Sequence, residues 1–306
     1  MIPVGTRSAA LGGAATATVN DASAMYWNPG ALALVNRTQV SIEHSEWFAD
    51  LRHNHLGVVL PLGGAGVLGL NVISLTMEDM EETTFEQQDG TGRMFGAYSY
   101  AVGATYARYL MSNFTIGATV KFINETIWNS SSSSVAVDLG TTYVTPFDGI
   151  RFGVRIANFG PKMAITGPDL RTTVDIDPGS AGNNPQVGAR LDTKGFDLPL
   201  MLQVGLAWDG YTSDAFRATI MADGISPSDA NQSVNVGVEL AFLEERVAVQ
   251  AGLPELLLGD DRMYEFTVGG LVNYELNPGM GFSVGYAMLS HKFLGLTNRF
   301  SLKLSF

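Results

Sequence analysis

The chain contains no cysteine. That excludes disulfide staples, thiolate metal sites and cysteine nucleophiles. Charge is scarce too: Asp, Glu, Lys and Arg make up 16% of the 306 residues, against roughly 25% in ordinary soluble domains. The net charge of −12 argues against nucleic acid as a partner, because phosphate binding needs a basic patch. No stretch approaches the eighteen or so consecutive apolar residues of a membrane helix. The opening "MIPVGTRSAA" has neither the basic nor the apolar region of a signal peptide, so an exported chain is expected to be a mature or trimmed form. No nucleophile elbow, phosphate-binding loop or zinc-protease motif occurs, and no enzyme activity or cofactor is expected.

What remains is apolar (46%) and rich in glycine, with 35 residues. It is patterned in twos. In the closing stretch, Leu296, Asn298, Phe300, Leu302, Leu304 and Phe306 fall on one face of an extended strand; Thr297, Arg299, Ser301, Lys303 and Ser305 fall on the other. Side chains alternate across a strand, so the ribbon has one oily and one wet face. The pattern recurs from residue 37 in fourteen segments: 37–46, 53–62, 65–77, 96–109, 112–127, 135–145, 150–158, 198–209, 215–224, 231–242, 246–254, 263–276, 280–289 and 296–306. Charges sit on the wet faces. Arg151 and Arg155 oppose Ile150, Phe152, Val154 and Ile156; Glu239 opposes Val236, Val238 and Leu240; Glu265 and Glu275 oppose Phe266, Val268, Val272 and Tyr274. A polar lumen accommodates such charges, whereas a dry sandwich core would not.

The links alternate long and short. "WFADLR", the acidic stretch 78–95, the serine tract "WNSSSSS" and the excursion 159–197 take turns with "GG", "LM", "PFDG", "LEE" and "NPG". An up-and-down meander through a bilayer has this asymmetry; Greek-key sandwiches do not. The expected fold is all-β, a fourteen-stranded antiparallel transmembrane barrel over 37–306 in a bacterial outer membrane, with both termini periplasmic. Phe300, Leu302, Leu304 and Phe306 resemble the carboxyl-terminal signal of such barrels. Tyr and Trp near strand ends suit interfacial girdles.

Residues 1–36 lack the pattern and are rich in small residues, which suits a segment packed in the lumen. "DASAMYW" reads as a short helix with Asp21 as its N-cap, and "NPG" then breaks it. Arg7, Gly12, Gly13, Asp21, Ser23, Ala24, Trp27, Asn28, Pro29 and Gly30 together resemble the PorV/PorQ family, fourteen-stranded relatives of the FadL fatty-acid transporter with an N-terminal plug. Here Asn-Pro-Gly-Ala replaces the usual Asn-Pro-Ala-Gly. The resemblance implies an accessory of type IX secretion that binds a translocon or the C-terminal domain of its cargo. Alternatives are a FadL-like transporter of hydrophobic molecules or lipids, and a structural barrel of another envelope complex. The loop 159–197, with "VDID" as a candidate pairing edge, favours the accessory. Arg7 is expected to meet Glu239 or Glu265. His44, placed across from His55, and His53 come nearest to a metal cluster, but read as ordinary polar residues near a loop. Asp260, Asp261 and the stretch 78–89 are calcium candidates by charge and solvated loops by habit.

Overall fold

The computed structural model describes residues 2–147, 149–180, 184, 186–277 and 279–306. Asp148 of the "PFDG" turn, Pro278 of the "NPG" turn, and residues 181–183 and 185 of the long excursion lie outside these. Among the described residues, fourteen strands close into one antiparallel barrel. In chain order they are β1 (Gln39–Glu46), β2 (Arg52–Pro61), β3 (Val67–Thr76), β6 (Ala97–Met111), β7 (Phe114–Ile127), β8 (Ser130–Val144), β9 (Ile150–Phe159), β12 (Met201–Thr212), β13 (Phe216–Pro227), β14 (Ser233–Phe242), β15 (Val247–Leu253), β16 (Tyr264–Asn277), β17 (Met280–His291) and β18 (Gly295–Ser305). Two small hairpins stand outside the wall, β4 (Met80–Glu81) with β5 (Met94–Phe95), and β10 (Arg171–Val174) with β11 (Val187–Arg190). Each barrel strand pairs with its sequence neighbour in the wall, and β1 pairs with β18 from Gln39↔Ser305 to Glu46↔Asn298. No sheet edge is left to face hydrocarbon, where unpaired backbone groups are untenable.

The two faces separate as the alternation requires. Ile42, Leu70, Val120, Val249, Leu296 and Phe300 are more than half exposed on the outside, while Thr219, Gln203, Arg155 and Arg299 are buried inside. That inverts the soluble rule and gives the wall a lipid-facing apolar band. Links at one end of the barrel run two to five residues (62–66, 112–113, 145–149, 213–215, 243–246 and 278–279). Exposed Tyr106, Tyr109, Tyr143, Trp208, Tyr211 and Tyr274 sit on the strands near this end, forming one girdle.

Three local expectations need correction. The serine tract is strand, not loop: β7 and β8 are joined by Trp128 and Asn129 alone, and Ser130, Ser132 and Ser134 are buried on the inner face. Serines alternate without any hydropathy contrast, so the pattern is silent there. Links at the other end therefore range from two residues (128–129) to forty-one (160–200), and strict long–short parity does not hold. Finally, His44 lies opposite Asn54, and Glu43 opposite His55. Trp47 donates its N–H to the Leu51 carbonyl, which tightens the turn and shifts the register by one. A one-residue shift sends a side chain to the other face: His44 is outside, and His53 and His55 are buried inside.

Candidate functional site: a plugged lumen beneath a loop-side cavity

Residues 2–36 run through the barrel. Val4, Ala10, Leu11, Ala14, Ala15, Ala22, Ala31 and Leu32 have no exposed surface. The segment makes only short helical turns, α1 (Thr6–Ala10), α2 (Ala24–Trp27) and a 3-10 turn at Pro29–Leu34. Ten strands turn a glycine inward against it, from Gly57 on β2 to Gly285 on β17. Two show why the residue type matters. A Cβ on Gly117 would lie 2.3 Å from the Pro29 carbonyl oxygen, and one on Gly140 would lie 2.2 Å from Asn28 Oδ1. Backbone meets wall here with no room for a methyl group.

Side chains of the segment and of the wall together satisfy the segment's backbone. Asn28 Oδ1 accepts from the Gly30 N–H at 3.1 Å, and its Nδ2 donates to the carbonyls of Thr16 (2.8 Å) and Thr141 (2.9 Å). Asp223 Oδ2 accepts from the N–H groups of Ala15 (3.1 Å) and Thr16 (2.9 Å) and from Gln203 Nε2 (2.9 Å). Trp27 Nε1 donates to the Val4 carbonyl at 2.5 Å. Ser23, not Asp21, is the N-cap of α2; Asp21 instead accepts from the Ser23 N–H (2.9 Å) and hydroxyl (2.6 Å).

Charges form a chain. Arg7 grips Glu239 with two nitrogens, at 2.5 and 2.8 Å, and does not reach Glu265. Glu239 also accepts from Arg217 at 2.9 Å, Arg217 pairs with Glu245 at 2.5 Å, and Arg151 pairs with Asp209 at 2.7 Å. Arg155 stacks over the Tyr26 ring at 5.0 Å. Glu265 and Glu275 are exposed at the strand ends, bonded to Ser290 (2.7 Å) and Arg37 (3.0 Å), so neither belongs to the buried lumen. Alternation carries no information on height along the strand, so it cannot tell a rim carboxylate from one in the lumen. Gly12 and Gly13 both take left-handed backbone, φ 68° and 80°, with Gly12 against the Leu253–Pro254 backbone.

Above this floor is a cavity of about 370 Å³. Pro3, Ala9, Tyr26 and Trp27 form its base, Met201, Ile225, Thr267, Leu289 and Arg155 its sides, and Asp229–Asn231 with Pro254, Glu255 and Leu258 its cover. Pro3 is among the lining residues, so the described start of the chain lies within the lumen. The wall is thin beside the cavity. β15 spans only Val247–Leu253, and Ser233–Asn235 of β14 have no β15 partner. Pro254 has no N–H to continue the ladder, Glu255 turns left-handed (φ 58°), and the turn Leu256–Asp261 lies over the gap. Leu258 lines the cavity while Leu257 is 69% exposed. Trp27 and Arg155 stand out in the sequence, as part of the plug motif and as a wet-face charge, but nothing in the pattern brings them together, and Met201, Ile225, Thr267 and Leu289 are ordinary strand residues until the barrel closes.

The loops are held by their own contacts. Glu78 pairs with Arg52, Glu82 with Arg93 (2.6 Å) and Asp260 with Lys292 (3.7 Å). Among the described residues no group of three or more His, Cys, Asp or Glu side chains is placed to hold a metal ion. Val174 of "VDID" pairs with Val187 within its own hairpin. Asp169 accepts from Asn129 (N–H at 3.2 Å, Nδ2 at 3.1 Å) and Ser130 (2.8 Å), which pins the long loop to the β7–β8 turn. The Asn129 and Ser130 bonds hold the Asp169 carboxyl below the usual aspartate range. A carboxylate with a depressed pKa contributes its anchoring above the unfolded value and loses it as pH falls through the folded one. Amide protection over residues 163–171, taken relative to intrinsic exchange at each pH, should therefore fall in acid, below the ordinary aspartate range, and Asp169→Asn should remove that dependence.

The architecture is thus a transmembrane β-barrel closed by its own N-terminal segment. Along its full length it superposes on solved barrels of the same design. A Pseudomonas aeruginosa FadL homologue aligns with TM-score 0.59 and 11% identity, covering 98% of this chain and 97% of that one. The Pseudomonas putida toluene transporter TodX aligns at 0.61 and 12%, covering 100% and 97%. The Ralstonia pickettii toluene transporter TbuX aligns at 0.57 and 11%, covering 99% and 97%. Residues 1–134 match a family described as "Uncharacterised protein family (UPF0164)". No curated protein matches the sequence. The superpositions establish the fold, which is FadL-like. They correct the PorV/PorQ assignment and the type IX secretion role drawn from it. In this chain Asn28, Pro29 and Gly30 of the motif at residues 7–30 pack the plug on the wall, a structural role that names no partner or cargo.

Proposed function

We propose that the chain moves small hydrophobic molecules across the outer membrane, entering through the loop-side cavity. The observation that carries this reading is a lumen closed at mid-height by tightly packed backbone beneath a mainly apolar chamber of about 370 Å³, within the range of roughly 300–1,000 Å³ typical of small-molecule sites. The solved structures with this fold include toluene transporters, which supports the solute class. In this reading the short turns and Phe306 face the periplasm and the long loops face outward. Since the plug blocks the axis, the thin wall at Ser233–Asn235 is the way out toward the bilayer, with Leu257 and Leu258 as its apolar sill.

Uptake of radiolabelled toluene by cells producing the protein tests this. Wild type should take it up several-fold faster than cells without it. Ile225→Trp, which fills the cavity, should abolish the difference, while Ile220→Trp on the outer wall should not. Equal rates for wild type, Ile225→Trp and empty cells would end the proposal.

A further inference from the structure

The barrel wall contains one adjacent pair of strands drawn from opposite ends of the sequence. β1 and β18 meet over eight residue pairs, and no turn joins them to set their register. The inner face of this seam is charged. Glu43 of β1 stands opposite Ser301, and Arg299 of β18 opposite Ser45, so the buried Glu43–Arg299 ion pair is a diagonal across the seam.

The N-terminal segment binds both strands at this place. The Gly5 N–H donates to Glu43 Oε2 at 2.5 Å, and Arg299 Nη1 donates to the Pro3 carbonyl and to Glu43. Thr6 Oγ1 bonds Ser301 Oγ at 2.6 Å, and Asp21 lies 3.9 Å from Lys303. Elsewhere the segment's polar bonds reach the wall mostly one strand at a time, as at Asp223 or Glu239.

We infer that residues 3–21 act as an internal clasp that holds the closing seam in register. The seam depends on it for a physical reason. A hairpin turn fixes which residues face each other, whereas an unconnected pair relies on side chains alone. A slip of two residues would keep the apolar alternation intact and would set either Arg299 or Lys303 directly opposite Glu43, so the ion pair alone does not forbid it; but the segment could not then keep its bonds to Glu43 on β1 and to Arg299 and Ser301 on β18 together. The clasp converts a permissible slip into a forbidden one. It also makes barrel closure and plug insertion one event.

The test uses the full chain, whose lack of cysteine lets thiols be placed at will. Glu43→Gln combined with Arg299→Gln should lower the temperature at which the folded, fast-migrating form is lost on a semi-native gel. Adding Ile42→Cys and Leu302→Cys, paired and exposed on the outer face of the seam, and joining them with a short thiol cross-linker should restore most of the loss. The same cross-link between Phe122→Cys and Val135→Cys, a pair on β7 and β8, should not. Two results overturn the clasp. One is no loss in the Gln pair. The other is equal rescue by both cross-links, or by neither, which would make the contacts ordinary interior packing. If the Gln pair yields no folded protein, the cross-linkable thiols in the wild-type background decide: removal of residues 2–21 should abolish Ile42–Leu302 cross-linking in register, and unchanged cross-linking overturns the proposal.

Discussion

Gly117→Val is expected to strip the barrel of its plug or prevent closure altogether. The new Cβ would sit 2.3 Å from the Pro29 oxygen and 2.5 Å from its carbonyl carbon, distances at which something must move. Neither neighbour is a flexible side chain. Gly117 lies within a ladder of fourteen pairs with β8, and Pro29 opens the turn Pro29–Leu34, whose Ala31 and Leu32 have no exposed surface. Overfilling a core costs about 1–3 kcal/mol where side chains can adjust; here backbone would have to, and the cost lies at or above the top of that range. Hydrogen exchange across residues 24–35 should rise strongly, and the heat-modifiable gel form should weaken or vanish. Gly117→Ala should act in the same direction with smaller size. Gly64→Ala, in a turn with nothing within 4 Å, should change neither. If Gly117→Val kept wild-type protection, the plug would be far looser than its contacts indicate.

The outside of this protein was easy to read and the inside was not. Lipid imposes one requirement on every outward residue, so Leu296, Phe300 and Leu302 announce themselves through period-two hydropathy. Inward residues answer to a particular neighbour. Asp223 serves the Ala15 and Thr16 amides, and Gln203 serves Asp223, yet both look like unremarkable wet-face residues in sequence. Glycine is worse: Gly117 and Gly224 both lie inside strand segments and are indistinguishable by pattern, though one meets the plug and the other does not. Arg7 with Glu239 was within reach because both are charges in places where charge is costly. The rims misled, since Glu265 and Glu275 continue the alternation past the point where the lumen ends. The motif around Trp27–Gly30 suggests a role by resemblance, yet in the structure it encodes a packing solution. The cavity depends on residues from six strands and three loops that only closure assembles.

Glu239→Ala should be the most disruptive single change among the lumen charges. Glu239 is 1% exposed and binds both Arg7 and Arg217. Removing one member of a buried pair and leaving its partner uncompensated typically costs about 3–5 kcal/mol. The two arginines will not suffer equally. Arg217 keeps Glu245 at 2.5 Å and Asp209 at 3.8 Å. Among the described residues Arg7 keeps only the Thr18 carbonyl, at 3.1 Å, as a hydrogen-bond partner, so the loss should fall on the plug and not on the wall. Exchange should accelerate over residues 5–19 while the amides of β13 and β14 stay protected, and an otherwise silent barrel should leak ions in a planar bilayer. The double variant Arg7→Met, Glu239→Leu separates two meanings of the pair. A buried ion pair replaced by apolar groups of similar volume is often as stable as the original. Recovery of protection in the double variant would show that the pair's contribution is to avoid a stranded charge, with the small-residue fit supplying the cohesion. Continued exchange would show instead that the paired geometry itself, two nitrogens on one carboxylate, positions α1 against the wall.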